Sequence, residues 1–334
     1  MSPTTPAPAP ERSEPRPSAL RLPPDTLGAI AGPCEQTIDA RWLMAYAGAL
    51  GETDPRCFDT TAAAGPAAHP LFPVCYEWPV AVELRDRAIG PAISPFSVHA
   101  THDVVIHRPP RAGDRLSTTA RIVEVRPVKA GSLVIGRYDT VDAAGAPVTT
   151  THYGSIYRGV ACGTQAETSA ETSAENSADD SRTAAAQPGR DANGRIRGAT
   201  SRPADISIPP NISIPSIRWQ AQVPISAQLA HVYTECARIW NPIHTDIAVA
   251  RAAGLPGLIL HGTATLALAV SQIVARELGN DPGLVRGVAA RFTGMVPMPS
   301  VVTVRGYESQ TGHVDFDVID AAGRVVLGRG VVKR

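Results

Sequence analysis

The sequence is poor in the features that mark secreted, metal-binding and nucleic-acid-binding proteins. Its five cysteines, an odd number, are scattered over 334 residues without a Cys-x-x-Cys pair, which argues against a disulfide framework and a thiolate zinc site. The nine histidines show no ligand spacing on one helix. Because 31 basic residues balance 31 acidic ones, no net charge attracts nucleic acid. We therefore expect free thiols, no metal and no nucleic-acid partner.

Long apolar segments are missing as well. No apolar run comes near the roughly 20 residues that span a bilayer. Met1–Pro24 is rich in proline, serine and arginine and lacks the apolar centre of a signal peptide. The chain ends in Val331–Arg334, which is not a peroxisomal tripeptide. These absences predict a soluble, cytoplasmic protein without a membrane partner.

The apolar fraction of 43% is enough for globular cores, and the length suits two domains. Between them, residues 163–210 carry the repeat Glu-Thr-Ser-Ala and almost no large apolar side chain, so they cannot bury enough surface to offset their ordering entropy, and the linker is placed at residues 163–214. We interpret this segment as a disordered linker and residues 1–25 as a disordered tail. The predicted domains are therefore residues 26–162 and 215–334.

The two predicted domains resemble one another in their order of elements. Each has a long helical pattern, Val74–Arg87 in the first and Gly262–Glu277 in the second, followed by a series of strand-like runs. Each series ends in a strand preceded by the turn Asp-Ala-Ala-Gly, at Asp142–Gly145 and Asp320–Gly323. The pattern predicts an α+β protein of two fused hotdog folds, in which a long central helix is wrapped by a curved antiparallel sheet, twice.

Three spaced motifs in the second half point to a known family. The first is Asn241-Pro242-Ile243-His244, the second is Leu260-His261-Gly262 at the start of the long helix, and the third is Arg291-Phe292-Thr293-Gly294. Together they resemble the hydratase-2 signature of MaoC-like enzymes, Asp-x-Asn-Pro-(aliphatic)-His followed by His-Gly and Arg-Phe-x-Gly. The resemblance covers residues 216–334 at the level of motifs, and the first half matches more loosely.

The resemblance implies hydration or dehydration of a 2-enoyl or 3-hydroxyacyl thioester, carried on CoA or on an acyl carrier protein. In this family pattern His244 is the acid and base, Asn241 positions the water, and the backbone N–H of Gly262 stabilises the thioester oxygen. A histidine with a pKa near neutrality can do this without a metal or other cofactor. His261 is a candidate for substrate binding, although a structural role at the helix entry is the preferred interpretation.

One position departs from the family pattern. Where the family has an acidic residue, five positions before the histidine, this chain has Ile239, which cannot transfer a proton. Three interpretations stay open: His244 works alone, the site keeps only thioester binding or another proton transfer, or Glu235 supplies the carboxylate from one helical turn back. A non-catalytic acyl-binding or partner subunit and a hotdog thioesterase are the alternative functions.

The first half lacks the catalytic pair. Asp54-Pro55 falls opposite Asn241-Pro242, and Cys57 falls opposite the histidine. By the resemblance, this degenerate half accommodates the acyl chain. Its arginines are candidates for phosphate contacts of the carrier arm, or are ordinary solvated strand residues; they are Arg108 and Arg111, with Arg115, Arg121 and Arg126. The sequence leaves open whether two chains pair as a homodimer.

Overall fold

The computed structural model describes residues 20–163, 216–309 and 312–334. Its first half contains one strand, two helices and then four strands: β1 (Ile30–Thr37), α1 (Ala40–Ala49), α2 (Pro73–Ala88), β2 (Ser97–Ile106), β3 (Arg115–Val128), β4 (Gly131–Asp142) and β5 (Pro147–Arg158). The second half repeats this order with one additional short helix: β6 (Ile217–Ile225), α3 (Leu229–Ala237), α4 (Ile247–Ala252), α5 (Gly262–Glu277), β7 (Gly287–Phe292), β8 (Ser300–Tyr307), β9 (Val314–Asp320) and β10 (Val325–Lys333).

The ten strands form one antiparallel sheet in the order β1-β3-β4-β5-β2-β7-β10-β9-β8-β6. Strands β2 and β7 pair at its centre and join the two halves. Outward from this seam, the order β2-β5-β4-β3-β1 of the first half is repeated as β7-β10-β9-β8-β6 in the second. Helix α2 packs on β1 and β3, and α5 packs on β8, β9 and β10. The arrangement confirms the prediction of two fused hotdog folds.

The two Asp-Ala-Ala-Gly segments adopt the same turn. The carboxylate of Asp142 accepts hydrogen bonds from the backbone N–H groups two and four residues later, and that of Asp320 does the same, at 2.9–3.0 Å. Gly145 and Gly323 have φ of 79° and 77°, a left-handed conformation that glycine adopts without steric cost. The prediction that these segments are equivalent hairpin turns is therefore correct in detail.

Helix α5 has the bounds that the sequence predicts. Ten of its residues are buried, from Thr263 to Val274, so that the helix is enclosed rather than lying on the surface. Helix α1 begins at an aspartate cap, since the Asp39 carboxylate accepts a hydrogen bond from the Trp42 N–H at 2.7 Å. Within the described ranges, no helix has both the length and the apolar character needed to cross a membrane.

The predicted tail of residues 1–25 extends too far. Leu22 is buried in the core of the first half, and residues 20–22 are joined to Ala161 by backbone hydrogen bonds at 2.8 and 2.9 Å. Because one buried leucine produces no periodic apolar pattern in the sequence, composition alone placed the boundary between the tail and the first domain too late. Residues 1–19 and nearly all of the predicted linker, from 164 to 215, lie outside the described residues.

Buried polar side chains also join the two halves. His69 accepts a hydrogen bond from the Leu71 N–H at Nδ1 (3.0 Å), so its proton is on Nε2, which lies 3.3 Å from the hydroxyl of Ser271 on α5. That hydroxyl donates in turn to the carboxylate of Glu52, whose pKa is raised by burial. The network links residues of the first half to the central helix of the second.

We expect Ser271→Ala to destabilise the protein by about 1–2 kcal/mol, because it leaves the largely buried Glu52 and His69 without their common partner. The free energy of unfolding, measured by urea titration, tests this. Gln272→Ala on the same helix turn, which removes only a surface contact with Arg276, is the control and should change stability by less than about 0.5 kcal/mol. Equal effects of the two substitutions would show that the network does not stabilise the fold.

Candidate active site

The segment that carries Asn241 and His244 is fixed at its beginning by Arg238. This residue ends α3 in the left-handed conformation, with φ of 59°. Its guanidinium lies 4.0 Å from the ring centroid of Trp42 on α1 and 3.6 Å from the carboxylate of Asp39. A cation–π contact and an ion pair therefore hold the start of the segment against the first half. The chain then turns into a single 3-10 turn, Pro242–His244.

The imidazole of His244 is buried and fixed in one tautomer. Its Nδ1 lies 2.9 Å from the carbonyl oxygen of Ile259, and because a carbonyl only accepts, Nδ1 carries the proton and Nε2 has the free lone pair. The residue is 9% exposed. Burial lowers the pKa of His244 from 6.5 to about 4, although the bond to Ile259 acts in the opposite direction. At neutral pH this group is therefore a neutral base.

His261 lies against His244. The two rings stack with centroids 3.8 Å apart and an angle of 29° between their planes. Burial lowers the pKa of His261 well below its usual value, and the neighbouring His244 lowers it further. Its Nε2 lies 3.2 Å from the hydroxyl of Thr234 on α3. His261 thus links α3, the 3-10 turn and the start of α5, which fits the structural role that the sequence favoured.

The N-terminus of α5 begins directly after this stacked pair. Gly262 is its first residue, and no side chain caps it. The backbone N–H groups of the first helical turn have no partner within the helix and carry the positive end of the helix dipole. A Cβ atom on Gly262 would lie 3.0 Å from the ring of Phe292, so the glycine lets the helix start approach β7 closely.

Asn241 and Ile239 complete this part of the site. Asn241 begins the 3-10 turn but its side chain makes no capping hydrogen bond, which leaves its amide available to the cavity. Ile239 is only 4% exposed and forms part of the cavity wall. At the position where the family pattern has a carboxylate, the wall of this cavity is therefore apolar.

A cavity of about 810 Å³, the central cavity, is lined by both halves. From the second half its lining includes the predicted site residues Asn241, His244, His261 and Gly262. From the first half it includes one face of α2, with Val74, Glu77, Trp78, Ala81 and Leu84, together with inner-face side chains of β2, β4 and β5. The residues predicted from the sequence thus line one end of the cavity. The other end lies in the first half.

Three predicted site residues lie elsewhere. Glu235 is exposed on α3 and does not line the central cavity. Arg108 forms ion pairs with Asp114 at 2.7 Å and with Asp142 at 3.0 Å. Its guanidinium therefore stabilises the turn between β4 and β5. Arg111 is exposed outside the cavity, in the loop before β3. None of the three is brought to the stacked histidines.

Two family models match separate parts of the chain. A model described as MaoC like domain matches residues 216–327. The chain carries a MaoC-like domain. A second model, described as FAS1-like, dehydratase domain region, matches residues 25–151. The MaoC-like domain contains both stacked histidines, His244 and His261, and the N-terminus of α5.

Individual relatives agree with this assignment. Enoyl-CoA hydratase ChsH3 of Mycobacterium tuberculosis is 34% identical over 112 residues, which are 34% of this chain and 39% of that protein. The match therefore spans well under two thirds of the relative. A MaoC-like dehydratase from Phytophthora capsici superposes with a TM-score of 0.69 and 20% identity, covering 93% of this chain and 95% of that one. Rv0216 of M. tuberculosis, described as a double hotdog fold, has a TM-score of 0.51 and 16% identity, over 92% and 94% of the two chains.

The lowered pKa of His244 in the MaoC-like domain predicts a pH-dependent stability. The folded protein resists protonation of this ring, whereas the unfolded chain does not. The contribution of His244 to stability is therefore complete above pH 6.5 and is lost as the pH falls through about 4. We expect the difference in unfolding free energy between wild type and His244→Gln to shrink by up to roughly 3 kcal/mol over this window. Urea titrations at several pH values measure it. A difference that stays constant with pH would mean that His244 titrates normally.

Proposed function

We propose that the protein adds water to, or removes water from, the α,β double bond of an acyl thioester, with His244 as the acid and base. The observation that carries this proposal is a neutral imidazole with a free Nε2, stacked beside an uncapped helix N-terminus in a large cavity. The family-level likeness to enoyl-CoA hydratases and MaoC-like dehydratases supports the same chemistry.

In the dehydration direction, Nε2 of His244 takes the proton from the α carbon of a 3-hydroxyacyl thioester. The electron pair moves onto the thioester oxygen, where the N–H of Gly262 and the helix dipole stabilise the negative charge. The imidazolium then gives its proton to the leaving hydroxyl, which departs as water, and the enoyl thioester remains. The amide of Asn241 holds the hydroxyl during this transfer. Hydration is the reverse.

This mechanism needs one proton-transfer group, which agrees with an apolar residue at position 239. Glu235 is exposed and lies outside the cavity, so it is a poor source of a second group. The negative enolate and the positive imidazolium form together and neutralise one another, which offsets the cost of charging a buried ring. We therefore retain the interpretation in which His244 works alone.

The substrate is a 2-enoyl or 3-hydroxyacyl thioester of CoA or of an acyl carrier protein. The cavity continues along the face of α2 in the first half, where Val74, Trp78 and Leu84 provide apolar surface for the acyl chain. A protein that only binds acyl thioesters, and a thioesterase, are the alternatives that the assays below distinguish.

His244→Ala should lower kcat/KM for hydration of a short 2-enoyl-CoA by about 10²–10⁴-fold, the usual contribution of general acid–base catalysis. Loss of absorbance of the enoyl thioester measures the rate. His107→Ala, which changes an exposed histidine of the first half, is the matched control and should act like wild type. Background rates for both wild type and variant, across chain lengths and carriers, would favour a binding protein, and release of free thiol would indicate a thioesterase.

Ile239→Asp tests whether one imidazole is sufficient. We expect no gain in hydration rate, together with a loss of stability of about 1–3 kcal/mol from burying a polar group in an apolar wall. Initial rates and urea unfolding measure the two effects, and Ile239→Asn controls for polarity without a proton-transfer group. A rate increase of tenfold or more with aspartate but not with asparagine would contradict the single-base mechanism.

A further inference from the structure

The part of the central cavity that lies in the first half is polar at its end. Glu77, on the cavity face of α2, is 4% exposed, and its carboxylate accepts a hydrogen bond from the Thr151 hydroxyl at 2.7 Å. Burial raises the pKa of Glu77 to about 7. A carboxyl group is costly to bury, and beyond its bond from Thr151 this one can accept a further hydrogen bond from a polar group in the cavity.

Two tyrosines of the first half line the same cavity as this carboxyl group. Tyr138 on β4 pairs with Thr151 in the sheet, and its ring lies 6.3 Å from that of Tyr153, which follows two residues later on β5. Both line the central cavity, and Tyr138 is only 5% exposed. Among the residues that the structure describes, neither phenol hydroxyl has a hydrogen-bond partner. The Tyr138 hydroxyl is therefore able to bind a polar group inside the cavity. Tyr153 stacks on His99, which contacts Phe292, so it lies closer to the start of α5.

Glu77, which Thr151 holds, and Tyr138, which pairs with Thr151, are too far from the reacting centre to take part in proton transfer. Thr151 pairs with Val104 on β2, whereas Arg291, the neighbour of Phe292, pairs with Thr101 on the same strand. Thr151 is therefore three residues along the strand direction and two strands across the sheet from Arg291, which corresponds to a distance of about 14 Å. Proton transfer needs contact of about 3 Å or one bridging water. The carboxyl group that Thr151 holds is therefore placed to recognise the substrate, at a point remote from its reacting carbons.

We propose that Glu77 and Tyr138 form a pocket for a hydroxyl group carried on the acyl chain, remote from the thioester. The inference rests on the proposed function and narrows its substrate to oxygenated acyl thioesters. A hydroxyl group fits both kinds of partner, because it donates to the carboxyl oxygen of Glu77 and accepts from a tyrosine O–H. An unsubstituted alkyl chain would leave the Tyr138 hydroxyl unpaired and offer nothing to the carboxyl group of Glu77 beyond its bond from Thr151.

The test compares a series of 2-enoyl-CoA substrates with the same substrates hydroxylated at the far end of the chain. At the chain length that reaches the pocket, wild type should prefer the hydroxylated substrate by about tenfold or more in kcat/KM, since one hydrogen bond to a charged group contributes that much. Tyr138→Phe and Glu77→Gln should each reduce this ratio severalfold. Glu83→Gln, on the same helix but outside the central cavity and paired with Arg87 at the surface, is the matched control and should preserve it.

Each outcome separates this inference from the proposed function. Equal kcat/KM for hydroxylated and plain substrates at every length would overturn the pocket while leaving the hydratase activity established. If no enoyl-CoA is turned over, the proposed function fails, and dissociation constants of the saturated acyl-CoA pair, measured by calorimetry, still test the pocket. A loss of turnover of the shortest substrate in Glu77→Gln as large as that in His244→Ala would contradict a binding role. Urea unfolding of each variant identifies those that fail to fold.

Discussion

The hydrogen bond from Nδ1 of His244 to the carbonyl oxygen of Ile259 determines what the site can do. It fixes the tautomer, and burial keeps the ring neutral, so that Nε2 is an available base. This bond requires that the 3-10 turn Pro242–His244 contacts the segment before α5, which includes Ile259. The stacking of His244 on His261 stabilises the same contact. The same contact brings the imidazole to the start of α5, where the backbone N–H groups of Gly262 and its neighbours are free.

The two halves share a fold but have different chemistry. In the first half the counterpart of the 3-10 turn Pro242–His244 is the 3-10 turn Pro55–Cys57, so the thiol takes the place of the imidazole. Burial raises the pKa of Cys57 to about 11, which leaves it protonated and unsuited to act as a base at neutral pH. The first half supplies cavity volume instead, along the face of α2.

Local patterns made the core of the site predictable. The residues 241–244 and 260–262 are short motifs, and the strands that follow them alternate regularly, so both the helix start at Gly262 and the central strands were anticipated. The strands β1 and β6 at the two edges of the sheet were not, because their outer faces are solvated and their patterns are weak. For Arg108 the sequence left a phosphate contact and a structural role open, and the structure shows ion pairs with Asp114 and with Asp142, which is 34 residues away. Glu77 and Tyr138 are likewise far apart in sequence and line the same cavity only through the register of β4 and β5.

The state of the His244 imidazole is the central claim, and nitrogen-15 NMR of histidine-labelled protein tests it most directly. The signals of His244 are assigned by their loss in His244→Gln. We predict a neutral ring protonated at Nδ1, with Nε2 at the shift of an unprotonated nitrogen, from pH 8 down to about pH 5. A ring protonated at Nε2, or one that titrates near 6.5, would contradict the account, because the base would then be blocked or charged at neutral pH.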